Sequence, residues 1–217
     1  ADVLEGIIAE TRRVEYDLMI IGAAEEVFSA NYIFGKLNDA LLEAARLPGV
    51  DKAEPYLAVA CTFRKGPREK KASITGLIRD AQLTVPRDRR ARRVRIPAAG
   101  LAMSRTLAEI LGVKPGDTVT IEPIQGLRIA RTVPVCEIAD SYYGLTVYAD
   151  IHYLSRLVYE ESALSGVQLA LDRDPAHLAA LYRELKRLPA LEGVAARADV
   201  VAGIEETVLK HQWVVID

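Results

Sequence analysis

The sequence is short of sulfur, of histidine and of long apolar stretches, and each shortage closes a class of function. Only two cysteines, Cys61 and Cys136, stand in 217 residues. They are too few and too far apart for a zinc site or a CxxC redox pair. Both read as small buried hydrophobes, with a single disulfide left open should the chain work outside the cytosol. The three histidines, His152, His177 and His211, are isolated, with no HExxH and no nearby cysteine, so metal-ligand spacing is missing. No run of eighteen apolar residues occurs, and nothing in the sequence is long enough to span a bilayer. No signal peptide is visible.

The motifs of common chemistry are missing too. No G-x-S-x-G surrounds a serine, no G-x-G-x-x-G opens a helix, and no G-x-x-x-x-G-K-[ST] phosphate loop is present. The carboxylate pairs Glu25–Glu26, Glu160–Glu161 and Glu205–Glu206 are sequence neighbours; on a helix they diverge by about 100° and read as solvated faces. Asp150 and His152 would share one side of a strand, which reads as surface rather than as an acid/base or metal pair. No catalytic, cofactor-binding or metal-binding residue is expected, and no enzyme.

What remains is an ordered globular protein. Half of its residues are hydrophobic and 27% are charged, enough for one large core or two small ones. The net charge of -2 conceals an asymmetry. From Arg64 to Arg95 there are twelve Lys or Arg and three acids, so this segment is +9 and the rest is -11. Such a segment meets an anionic partner, or it is a solvated loop whose charges keep a strand edge from pairing. Arg87, Arg89, Arg90, Arg92, Arg93 and Arg95 are its densest part and the candidate patch for an anionic partner.

Periodicity gives the organisation. Val3, Leu4, Ile7 and Ile8 mark an amphipathic helix, VEYDLMIIG a strand, and Tyr32 to Ala45 a helix that RLPG, 46–49, must end. AEPYLAVACTF, ASITGLI and QLTV read as strands, as do GLRIARTVPVCEIA and LTVYA; IHYLSRLV reads as a short helix. Tyr142, Tyr143, Tyr148 and Tyr153 form the aromatic concentration, read as packing between lobes rather than as a ligand surface. SGVQLALD is a strand, Asp174 and Pro175 start a helix, and RLPA, 187–190, ends it. Arg46, Leu47 and Pro48 recur as Arg187, Leu188 and Pro189, 141 residues later. Two strand, helix, strand units therefore flank a different middle, which predicts a split domain with an inserted lobe. The last segment, from Asp199, is again amphipathic. An opening without Met and an abrupt HQWVVID ending read as the cut ends of a longer protein.

The best punctuated stretch is GLAMSRTLAEILGVKPGDTVTI, residues 100–121. Ser104 is placed to cap a helix, Gly112 to end it in the left-handed region, and Pro115, Gly116 and Asp117 to turn the chain into a strand. By itself this is a structural motif, shared with swapped-hairpin DNA-binding domains of bacterial transition-state regulators. With VRIPAAG before it, ITGLIRD, YADIHYLSRLV, LPGV and LPAL around it, the chain resembles the extracytoplasmic domain of FtsX/MacB-like ABC transporter permeases over nearly its whole length.

That resemblance implies an α+β fold of two lobes. A porter-like split α/β lobe of two βαβ-type halves comprises 1–64 and 155–217 and lies nearest the membrane; an inserted β-rich lobe with one short helix comprises 65–154. It implies a non-catalytic domain between two membrane helices, coupling cytoplasmic ATP hydrolysis to substrate export, lipoprotein release or partner activation outside the membrane. The implied partners are the chain's own membrane helices, a cognate ABC ATPase, a second permease copy or paralogue, and an extracytoplasmic accessory protein. Cofactors are not implied. The alternative is a basic nucleic-acid-binding module using the 87–95 arginines; the run lacks interleaved aromatics for base stacking, and no nucleic acid is expected.

Overall fold

The structure is a computed structural model describing residues 17–23, 45–141, 144–159, 164–172, 174–185 and 191–196. The helices expected near both chain ends and from Tyr32, the RLPA turn, Tyr142, Tyr143 and the three glutamate pairs lie outside the described residues. Nine strands occur among the described residues: β1 (Asp17–Ala23), β2 (Val50–Lys65), β3 (Arg68–Leu77), β4 (Leu101–Ser104), β5 (Thr118–Pro123), β6 (Arg131–Ala139), β7 (Val147–Asp150), β8 (Gly166–Leu171) and β9 (Leu191–Ala196). Three helices accompany them: α1 (Arg105–Leu111), α2 (Ile151–Leu157) and α3 (Pro175–Leu185).

All nine strands form one sheet in the order β3-β7-β4-β6-β5-β2-β8-β1-β9, with β3 also paired to β2. That last pairing joins β2, β3, β7, β4, β6 and β5 in a ring, a six-stranded barrel without free edges. Its interior follows the two-residue period of its strands. On β6, Val133 and Val135 are buried while Pro134 and Cys136 face out. Phe63, Ile74, Leu101, Met103, Ile121 and Val147 meet these valines in one core. Leu107 and Leu111 of α1, with Ile151 and Leu154 of α2, complete it. Helix α2 can lie this close to β3 because residue 76 is glycine: a methyl there would sit 3.2 Å from the Ile151 Cα.

Beyond the barrel the sheet continues as β2-β8-β1-β9, every neighbouring pair antiparallel. Strands β1 and β2 are thus parallel with β8 between them, and β8 and β9 are parallel with β1 between them, linked through α3. This is the split arrangement of two strand, connection, strand units. Strand β8 is buried along its whole length, as a strand covered on both faces must be. Met19 lies opposite Ala196, so the chain arrives at β1 and leaves β9 at the same end of the sheet.

Strand β2 belongs to both parts: residues 50–56 pair with β8 and residues 61–64 with β5. Residue 64, where the sequence reading divides the lobes, falls inside β2, and residue 154 falls inside α2. Two short helices, both expected from the sequence, pack on the barrel. The QLTV segment is no strand: the Glu54 carboxylate takes the N–H groups of Gln82 and Leu83, which would otherwise have entered a ladder. Cys136 is exposed rather than buried, set by the alternation of β6, and neither cysteine forms a disulfide. Tyr153 packs against the main core and Tyr148 against the small clusters beside it. No helix among the described residues is long and apolar enough to cross a membrane.

Candidate functional site

Seven of the twelve basic residues of 64–95 lie on one connection, 78–100, which joins β3 to β4 and crosses from the four-stranded end of the sheet onto the barrel. Its first part is tied to the four-stranded end. Glu54, with its side chain 3% exposed, accepts from Gln82 N and Leu83 N at 2.9 Å and pairs with Lys52 Nζ at 2.9 Å. Thr84 Oγ1 donates to Gln168 Oε1 of β8 at 2.6 Å. Both buried polar side chains are therefore satisfied by the connection itself.

Its second part is a tight loop built around Asp88. The Asp88 carboxylate accepts from the backbone N–H groups of Arg90 and Arg92, each at 2.9 Å, and from Arg92 Nε at 2.8 Å. Arg92 beside it holds the Asp88 carboxyl below the usual range. Ala91 adopts φ 59 to close the turn. Arg87 Nη1 donates to Ala91 O at 2.9 Å, and Arg93 Nη2 to Ala81 O at 2.9 Å. Arg89 meets Asp140 of the β6 end at 3.4 Å, and Arg105 of α1 reaches the same oxygen at 3.8 Å.

Thus the structure brings the six sequence-marked arginines together, but Arg87, Arg89, Arg92 and Arg93 are already engaged by the protein's own oxygens. The side chains of Arg90 and Arg95 are exposed and have no hydrogen-bond or ion-pair partner among the described residues. Three concavities follow the connection. The largest, about 610 Å³, is lined by Arg79, Arg93, Arg95, Ile96, Pro97 and Glu137 among others. The second, about 290 Å³, shares Arg93 and Glu137 with it and continues to Arg92, Arg105 and Asp140. The third, about 230 Å³, adds Arg89 and Arg90. Together they follow one groove with guanidinium groups along the connection and carboxylates at intervals, Asp80 and Asp88 on the connection and Glu137 and Asp140 on the β6 side.

The other marked residues hold the frame around that groove. Ser104 caps α1, its Oγ accepting from Leu107 N at 3.4 Å. Gly112 ends the helix at φ 68, and Val113 N reaches back to Ala108 O at 2.9 Å, the six-to-one bond of a left-handed helix ending. In the turn after Pro115, Gly116 adopts φ 94 and Asp117 N donates to Lys114 O at 3.0 Å. The Asp117 carboxylate accepts from Lys114 N at 2.9 Å. Gly116 N donates to Val135 O, which docks this turn on β6. Asp150 caps α2 through the N–H groups of His152 and Tyr153, both at 3.0 Å, and pairs with Arg79 at 3.3 Å. Its carboxylate is occupied, and His152 takes part only through its backbone.

Sequence reasoning missed Glu54, Gln168, Glu137 and Asp140, which with Asp150 hold the connection from outside it. Glu54 stands between Ala53 and Pro55 inside an apolar run, and a charged residue there is the one signal that was available. Nothing in the sequence marks Gln168 or Asp140.

No protein-family model matches the sequence, and no curated relative does. Among solved structures, the extracellular domain of the noncanonic ABC-type transporter YknZ from Gram-positive bacteria is similar at 16% identity, over 80% of this chain and 91% of that one, with a TM-score of 0.49. The periplasmic region of MacB from Actinobacillus actinomycetemcomitans is similar at 11% identity, over 89% of this chain and 92% of that one, with a TM-score of 0.54. The likeness to a MacB-like extracytoplasmic domain, expected from the sequence, is therefore found in the fold.

Proposed function

We propose that this chain is the extracytoplasmic, non-catalytic domain of an ABC transporter permease subunit, hung between two membrane helices. The observation that carries the reading is the pairing of β1 with β9, Met19 opposite Ala196. A domain inserted between two membrane helices has to return to the side it left. The fold likeness to the MacB periplasmic region over 89% of the chain supports it, as an analogy of fold. In this reading residues 1–64 and 155–217 form the membrane-proximal lobe and 65–154 the inserted one. Closure of a cognate ATPase dimer in the cytoplasm tilts the stalks. The tilt reaches β1 and β9, passes to β8 and β2, and turns the barrel toward an accessory protein, a domain-rotation switch. A second permease copy or paralogue completes the transporter, and the output is export, lipoprotein release or partner activation.

The nucleic-acid alternative gains no support, because four of its six arginines are bound internally. The native thiols offer the test. Cys136 is exposed and Cys61 is buried, and burial pushes the Cys61 thiol up to about 12, which keeps it unreactive. In intact cells producing the parent gene product, a membrane-impermeant maleimide should label Cys136. Labelling that appears only after lysis would refute the placement.

A further inference from the structure

The groove along the β3–β4 connection has a charge pattern that selects its occupant. We propose that it binds an extended acidic peptide segment of a partner protein, its carboxylates at every fourth position with neutral residues between. The inference deepens the ectodomain reading above and rests on it for the side of the membrane from which the partner comes.

Three features carry it. First, the cations are arginines, whose planar fork matches a carboxylate with two parallel hydrogen bonds. Arg95 at one end of the groove and Arg90 at the other are exposed, and their side chains have no partner among the described residues. Arg105 is held only at 3.8 Å from Asp140, loose enough to exchange that carboxylate for another. Second, Asp80, Asp88, Glu137 and Asp140 stand among the guanidinium groups. They would repel a continuous polyanion, whereas a peptide can place neutral residues opposite them. Third, the wide end is lined by half-buried Pro97 and exposed Ala98 beside Arg95, so small apolar and cationic surface share one wall. An extended peptide turns every second side chain to one face, so an acid at every fourth position, with small neutral residues between, sets carboxylates against the arginines and neutral side chains against the groove's own carboxylates and the apolar wall. Concavity argues against a flat bilayer: Arg93 lines two of the three joined hollows instead of projecting from a convex surface.

The test uses the purified chain and a fluorescein-labelled nonapeptide with aspartate at every fourth position and alanine between, followed by anisotropy at low salt. Saturable binding is expected. The pair Arg90→Glu and Arg95→Glu should weaken it roughly tenfold or more, the cost of two charge-assisted contacts, while Lys114→Glu, outside the lining of all three hollows, leaves it unchanged. Arg95→Lys should weaken it by less, because charge survives and the fork does not. Both arginine side chains are exposed, so thermal melts of the variants should match the parent and exclude misfolding. Inorganic polyphosphate and phosphatidylglycerol vesicles serve as competitors. Failure of the peptide to saturate would overturn the proposal, as would tighter binding of either competitor through the same two arginines. Because Cys136 lines the wide end of the groove, the thiol labelling is repeated on the Arg90→Glu, Arg95→Glu pair, whose labelling in intact cells reports the membrane side whatever the peptide result.

Discussion

At the scale of single residues, two positions test whether backbone conformation was read correctly. Gly112 sits at φ 68 where α1 ends, with the Arg68 guanidinium against it. Gly112→Ala should lower stability by about 1–2 kcal/mol, the cost of a Cβ in the left-handed region, seen as a lower urea midpoint with an unchanged slope. Ala91 is the converse, an alanine at φ 59; Ala91→Gly should raise the midpoint or leave it unmoved. His177 and Asp172 predict the pH response. His177 Nδ1 lies 2.7 Å from Asp172, which raises the histidine pKa, and the Asp172 carboxyl is lowered in turn. A raised folded-state pKa means the pair's stabilisation is present below the unfolded histidine value of about 6.5 and is lost as pH rises through the folded value. The lowered Asp172 value means the contribution also fades in acid. Melts of the parent against His177→Gln should differ most near pH 5 to 6 and converge above neutrality; a constant difference from pH 5 to 9 would contradict the pair. The residues of 100–121 were legible because capping and turn chemistry is local. Glu54, Gln168 and Asp140 were not, because their partners come from sequence positions 28 to 84 residues away or, for Asp140, from a loop that folds back.

At the scale of elements, the β3–β4 connection joins the two parts of the sheet. Glu54→Ala would leave the N–H groups of Gln82 and Leu83 without their acceptor, at a cost of about 1–3 kcal/mol. Hydrogen exchange should accelerate at residues 82 and 83 while β4 and β6 stay protected; unchanged exchange there would show that the tether does not hold the connection. Most strands were legible through the two-residue period. QLTV misled because alternation cannot reveal a distant carboxylate competing for the same N–H groups. Cys136 misled for a related reason: composition says that cysteine is usually buried, while its phase on β6, one residue after buried Val135, places it outside.

At the scale of the molecule, the return of the strand, helix, strand pattern after Ser165 was legible, and it corresponds to β8, α3 and β9. The ring closure of β2, β3, β7, β4, β6 and β5 was not legible, since it depends on pairings such as β3 with β7 across some seventy residues. Nor was the sharing of β2 between barrel and outer strands, which makes the insert an extension of one sheet. Light scattering of the isolated chain should give a monomer, as the transporter dimer would depend mainly on other segments; a tight dimer would count against that. The central claim is that the polypeptide arrives and departs side by side at β1 and β9. Disulfide cross-linking tests it most directly, with Cys61→Ala and Cys136→Ala as background. Met19→Cys with Ala196→Cys should oxidise readily, facing residues of antiparallel strands having Cα atoms about 4.5–5.5 Å apart. Ala53→Cys with Leu169→Cys, paired across β2 and β8, is the positive control. If that control closes and the 19–196 pair stays open, the two ends do not leave together and the account fails.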